Sequence, residues 1–211
     1  MGCQRLNNMK NQIELTHQNQ WQYFLSIEQS LINTLNYVHY HDDNKNAYSN
    51  EFAKIILLSC SEIDVILKQL CKKYNKKSRA KNIFHYGTYL SKTFQGIGST
   101  KVECPIISEE FQPFSNWSND KIIKPDWWES YNKIKHERNT NFPKANQKNA
   151  FESCAGLFLL LLYLNAENGY PEPSPVLFDF NFPKQIVIGS NLDLPGVRDA
   201  LSRLGASEPS A

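Results

Sequence analysis

An all-α helical bundle is the fold class this sequence predicts, and three observations predict it. Between Gln20 and Asn168, apolar residues recur mostly at three- and four-residue steps, the spacing of one helix face. Ala155 to Leu164 is an unbroken run of ten apolar residues, which suits the centre of a bundle and falls short of the roughly eighteen expected of a membrane span. Helix-capping and helix-breaking residues punctuate the periodic segments, and no stretch repeats another.

The elements follow in chain order. Trp21, Phe24, Leu25, Leu31, Leu35 and Val38 predict a first helix from about Gln20 to Tyr40, closed by Asp42-Asp43-Asn44. Ser49 or Asn50 caps a second helix reaching about Tyr74, with the stripe Phe52, Ile55, Ile56, Ile63, Ile66, Leu67, Leu70 and Tyr74. Its cationic end (Lys72, Lys73, Lys76, Lys77) suits the negative pole of the helix dipole. A third helix runs from about Ala80 to Phe94 and breaks at Gly96-Ile97-Gly98, a turn that lacks the third glycine of a dinucleotide loop. From there to Lys124 the pattern is irregular, with Lys101 to Ile107 suited to a small hairpin.

Pro125 precedes the next helix, where Asp126 and Glu129 have the spacing of a capping box, and its far end is expected near Arg138. The last bundle helix is expected from about Lys144 to Asn168, with Gly169 as its C-cap and Pro171, Pro173 and Pro175 preventing continuation. Beyond it, Val176, Phe178, Phe180 and Phe182 alternate with Leu177, Asp179 and Asn181 as in a half-buried strand, lying back on the bundle or pairing with a partner.

This divides the 211 residues into a polar N-terminal segment (1–19), a bundle (20–168, insertion about 95–124), a Pro-rich linker and strand-like arm (169–190) and a tail (191–211). The tail contains no Lys and no aromatic residue, unlike the Asn- and Lys-rich remainder, and reads as a flexible or foreign segment. A hydrophobic fraction of 41% places the chain among globular proteins, and a net charge of only +2 means that any nucleic-acid contact must be local. Five cysteines without a CxxC pair read as reduced core residues of a cytoplasmic protein. The first twenty residues lack the apolar core of a secretory signal, and Leu6 stands where a myristoylation signal needs Ser or Thr. No membrane association is expected.

The chemistry concentrates in Pro125 to Leu164. Asn132, Lys135, His136 and Arg138 bring an amide, two cations and an imidazole within two turns, beside the most apolar helix, a set suited to a phosphodiester. Lys133 and Tyr131 are further candidates for phosphate contact. Trp117, Trp127, Trp128 and Tyr131 either stack on bases or fill the bundle core. Glu62 sits beside the Ile55, Ser59, Ile66 stripe and can point inward to orient His136 or Arg138, or lie at the helix edge near water. Asp64 and Lys68, one turn apart, read as a solvated pair. His39-Tyr40-His41-Asp42-Asp43 reads as a solvated turn rather than a metal cluster, because no further ligand follows at a suitable spacing. Neither metal nor cofactor is assigned. Alternatively, His136 is a buried histidine bonded to Asn132 or a carbonyl.

The segment Leu58-Ser59-Cys60-Ser61-Glu62-Ile63-Asp64 onward, and Trp127-Trp128 through Lys135-His136 before an apolar terminal helix, resemble the HEPN superfamily over roughly Gln20 to Asn168. The resemblance implies an antiparallel HEPN-like bundle, commonly a homodimer, often a metal-independent RNase of bacterial toxin, phage-defence or CRISPR-linked systems, with an antitoxin or sensor protein as a possible companion; other members are non-catalytic binding modules. The family signature, an Arg followed by a polar residue and then His, aligns on Asn132 and His136, but Tyr131 occupies the Arg position. The implied roles are proton transfer for His136 and phosphate neutralisation for an Arg; here Lys135 or Arg138 would have to supply the cation. On a continuing helix Arg138 lies about 200° around from His136, so it turns inward only if the helix ends at His136. Arg79 and His85 have a similar spacing but precede the third helix, and are set aside.

Overall fold

The computed structural model describes residues 2–118, 121–166, 171–179 and 187–188, with side chains described from residue 18 to 179 within those ranges. Five α-helices carry the fold: α1 (Gly2–Thr34), α2 (Asn50–Tyr74), α3 (Ile83–Thr93), α4 (Asp126–Asn141) and α5 (Gln147–Asn165). Among the described residues, four short strands accompany them: β1 (Phe94–Gln95), β2 (Val102–Cys104), β3 (Glu109–Phe111) and β4 (Val187–Ile188). The architecture is mainly α, with β2 and β3 forming an antiparallel hairpin and β1 pairing antiparallel with β4.

The centre of the bundle is α5, packed most extensively against α2 and flanked by α1 and α4. Apart from Lys148 and Glu152, every residue of α5 is buried, and Leu157 to Leu164 are at most 2% exposed. A helix apolar on all sides is stable only when surrounded. Here one chain supplies the whole covering.

Helix boundaries differ from the expected ones for local reasons. Residues 3–19 contain neither Pro nor Gly, and α1 runs without interruption from Gly2. It stops at Thr34, whose hydroxyl donates to the Leu31 carbonyl at 2.6 Å, short of the expected Tyr40. Ser49 caps α2 as the sequence suggests, accepting from the Phe52 N–H at 3.1 Å. Asn82 and Asn146 cap α3 and α5, accepting from His85 and Asn149, so both helices begin about three residues later than expected. The capping box of α4 does not form. Pro125 holds the N-cap and has no N–H for Glu129 to receive, so Glu129 pairs with Lys133 at 2.8 Å and Lys124 at 3.6 Å instead.

The insertion is a built part of the core. The hairpin β2–β3 is bridged by the 3-10 turn Pro105–Ile107, and Phe111, Phe114 and Trp117 bury their rings. Trp127 Nε1 donates to the Pro113 carbonyl at 2.8 Å and ties α4 to this segment. The turn expected at Gly96-Ile97-Gly98 places Gly96 at φ +87°, in the left-handed region.

The strand alternation expected beyond Pro175 does not occur where the chain is described. Val176 is 64% exposed, whereas Leu177 and Phe178 are both buried, so adjacent residues share the core side. The cause is Glu28 of α1, a buried carboxylate that accepts the backbone N–H groups of Val176, Leu177 and Phe178 and bends the segment around itself. Trp21 Nε1 adds a bond to the Pro173 carbonyl at 2.9 Å. The segment therefore lies back on the bundle. Phe180, Phe182, Gly169 and the tail 191–211 lie outside the described residues.

Candidate functional site

The candidate site is the C-terminal half of α4. Trp127, Trp128, Tyr131 and Ile134 turn inward and are buried, which leaves Asn132, Lys133, Lys135 and His136 on the outer side or its edge. Base stacking is closed to Trp117, Trp127, Trp128 and Tyr131, because their rings fill the core: Trp127 meets Trp128 edge-on at 5.9 Å, and Trp128 lies 5.3 Å from Tyr131.

His136 is exposed and makes no hydrogen bond or ion pair among the described residues, so it is not the buried, bonded histidine that would merely hold two helices in register. Directly after it, Glu137 leaves helical geometry (φ −141°, ψ 53°), and this is the break that the position of Arg138 requires. The break does not turn Arg138 inward. Its guanidinium stays exposed over the Phe142 ring at 5.9 Å, and Phe142 in turn meets Tyr48 edge-on at 5.3 Å, just before α2 begins.

The other sequence-selected residues are placed as follows. Lys135 extends over the buried Tyr131 ring at 5.4 Å, with Nζ 3.4 Å from its hydroxyl. Lys133 is neutralised by Glu129, whose carboxyl is held below its ordinary range by that lysine first and Lys124 next. Asn132 donates its amide to the Trp128 carbonyl at 2.8 Å, within its own helix, rather than to His136. Glu62 accepts from Gln20 of α1 at 3.0 Å, which places it on the α1–α2 seam, and no bond to His136 or Arg138 occurs among the described residues. The structure thus brings Tyr131, Lys135, His136 and Arg138 to one end of α4. It directs Asn132, Lys133 and Glu62 to other partners.

Electrostatically, neither Arg138 nor Lys135 has a carboxylate partner among the described residues, and Glu137 makes no ion pair there. Lys135 and Arg138, on either side of His136 in the sequence, thus carry uncompensated charge among the described residues, and the imidazole is exposed. That combination can hold a phosphate and move a proton at it. At the four described cysteines nucleophilic chemistry is disfavoured, because burial pushes Cys71 up to about 11, Cys104 up to about 12, and Cys60 and Cys154 well above the ordinary range. In the 39–43 segment, the His41 Nδ1 accepts the Asp43 N–H at 3.3 Å and Asp42 pairs with Lys45 at 2.6 Å, the bonding of a turn. Among the described residues, no group of three or more His, Cys, Asp or Glu side chains is arranged to hold a metal ion, and no helix is long and apolar enough to cross a membrane.

Sequence reasoning missed two features. Glu28 falls on the Trp21, Phe24, Leu31 stripe, and an acid at that spacing is the legible signal of a buried carboxylate. The second is a cationic cleft after α2, lined by Lys68, Lys72, Arg79 and Lys81, of which only Lys72 is among the lysines assigned to the helix dipole. Comparison of the chain with protein-family models, curated proteins and solved structures returned no match.

Proposed function

We propose that this chain is a HEPN-like endoribonuclease of a bacterial defence or toxin system, with His136 as the proton-transfer group of a metal-independent cleavage. The observation that carries the reading is the exposed, unbonded imidazole of His136 at a helix break, flanked by Lys135 and Arg138, which lack acidic partners among the described residues. In such a reaction His136 takes the proton of the ribose 2′-hydroxyl as its oxygen attacks the adjacent phosphorus. The bond to the 5′ oxygen breaks, that oxygen takes a proton from water, and a 2′,3′-cyclic phosphate remains on the upstream fragment. Lys135 and Arg138 offset the charge gathered on the phosphate. The reading includes a homodimer that sets the two His136 residues face to face, and a companion antitoxin or sensor protein. Because α5 is already covered within one chain, a dimer would use the outer face of α4 rather than the apolar helix.

The test is incubation of labelled single-stranded RNA with the protein in EDTA. Cleavage by the wild type and none by a His136→Ala variant of unchanged melting temperature is the expected result. Undiminished cleavage by that variant would remove His136 from the mechanism. A second reading, a non-catalytic HEPN-like module that dimerises or binds a nucleotide or partner protein, is favoured by two observations: Tyr131 stands where the signature has Arg, and Asn132 is engaged by the Trp128 carbonyl. It predicts no RNA cleavage by the wild type.

A further inference from the structure

The charge of this chain is segregated. From Val65 to Thr100 there are eight of the chain's twenty-three Lys and Arg residues and none of its twenty-one Asp and Glu residues. The fold gathers four of these cations at one place. Lys68 and Lys72 on the last turns of α2, and Arg79 and Lys81 on the connection to α3, line an open cavity of about 510 Å³ together with Ser78. Lys68 is paired with Asp64, but Lys72, Arg79 and Lys81 have no acidic partner among the described residues and are exposed.

Complementing the α2 dipole accounts for Lys72 only. Arg79 and Lys81 lie beyond the end of α2 and just before α3, whose N-terminus is itself a positive pole. Cations there raise a potential that is already positive, an arrangement that becomes favourable when an anion occupies the cleft. Three residues after Lys81, on the first turn of α3, Phe84 is 49% exposed. Cations that track a backbone beside an exposed ring that takes a base are the two parts of a single-strand binding surface.

We propose that the α2–α3 cleft binds the phosphate backbone of single-stranded RNA, with a base stacked on Phe84. The cleft lies at the opposite end of α2 from Arg138, roughly 33 Å along the axis at about 1.5 Å per residue from Asn50 to Lys72. It is therefore a second contact for the strand handled at His136. The inference rests on the reading of the chain as an RNA binder, but not on catalysis.

The test is the affinity of a fluorescent 2′-O-methyl oligouridylate of about 20 nucleotides, which cannot be cleaved, measured across a salt series. With the exposed Lys72, Arg79 and Lys81 all replaced by Ala, affinity at about 0.1 M salt should fall at least tenfold, and the slope of log affinity against log salt should become shallower by about 2. Phe84→Ala should weaken binding by roughly fivefold or more with the slope unchanged. Restoring charge with Lys72→Arg and Lys81→Arg should retain wild-type affinity. Unchanged affinity and slope in a folded triple variant would overturn the proposal, as would loss of binding to phosphatidylserine vesicles with RNA binding intact. Cleavage of ordinary RNA distinguishes the two readings. A triple variant that binds normally, while the wild type cleaves, sinks the cleft and leaves the nuclease; lost affinity with no cleavage by the wild type supports the cleft and sinks the nuclease.

Discussion

The carboxylate of Glu28 accepts the backbone N–H of Leu177 at 2.9 Å, across 149 residues of chain. The neighbouring N–H groups of Val176 and Phe178 converge on the same side chain at 3.1 and 3.3 Å. Glu28→Ala would leave three donors around an emptied site and should cost about 3 kcal/mol. Urea denaturation checks the loss, and faster limited proteolysis within residues 171–179 checks its location; a stability within about 0.5 kcal/mol of wild type would refute the anchoring role.

Glu28 also makes a pH prediction. Desolvation raises its pKa above the ordinary 4.5, and the three backbone hydrogen bonds oppose the shift without cancelling it. The folded state then binds the proton more tightly than the unfolded state. The contribution of this group is fully present below about pH 4.5 and is lost as pH rises through the raised folded value. Glu152, raised mainly by burial, acts in the same direction. Denaturation midpoints from pH 4.5 to 7 should therefore decline less in Glu28→Gln than in wild type. Parallel curves for the two proteins would contradict the assignment.

At the end of α4, Lys135→Ala and Arg138→Ala should each weaken RNA binding and lower the salt slope by about 0.7. Tyr131→Phe keeps the buried ring and removes only the hydroxyl near Lys135, so its effect should be smaller. Binding isotherms at several salt concentrations make the comparison. If both alanine variants match wild type in affinity and slope, no phosphate is held there, and a binding module acting elsewhere becomes the better account.

Gly98 is required by a backbone approach. A Cβ at this position would lie 1.9 Å from the Trp117 carbonyl oxygen, and that turn is fixed by the Trp117 N–H bond to Phe114 at 2.8 Å. Gly98→Ala should destabilise by about 2 kcal/mol or more through forced displacement of the insertion. A melting temperature equal to wild type would show that the turn yields freely.

Leu160, at the centre of α5 and fully buried, should cost roughly 2–5 kcal/mol on replacement by Ala. Val65→Ala is the control on the exposed side of α2, at 40% exposure, and should stay within about 0.5 kcal/mol. Equal losses for the two variants would mean that α5 is not the core.

Helix identity, order and inner faces were legible in the chain itself, because an apolar stripe at helical period must be buried wherever the helix packs. The Ser49 cap and the core helix Leu157 to Leu164 follow from local patterns, and the hairpin expected within Lys101 to Ile107 forms with its second strand further on, at Glu109–Phe111, because Pro105–Ile107 makes the turn. Tertiary structure alone decided what depends on distant partners. The alternation at Val176 to Asp179 reads as a strand only until Glu28 draws three successive N–H groups to one side. Glu62 meets Gln20, and Asn132 meets its own helix, because a side chain bonds to whatever packing brings near. The irregular backbone at Glu137 follows no residue type that signals a break, and it sets where Arg138 points. The joining of Lys68 and Lys72 with Arg79 and Lys81 needs α2 and the connection to α3 folded together, since charges along a chain become a site only when the fold makes them converge.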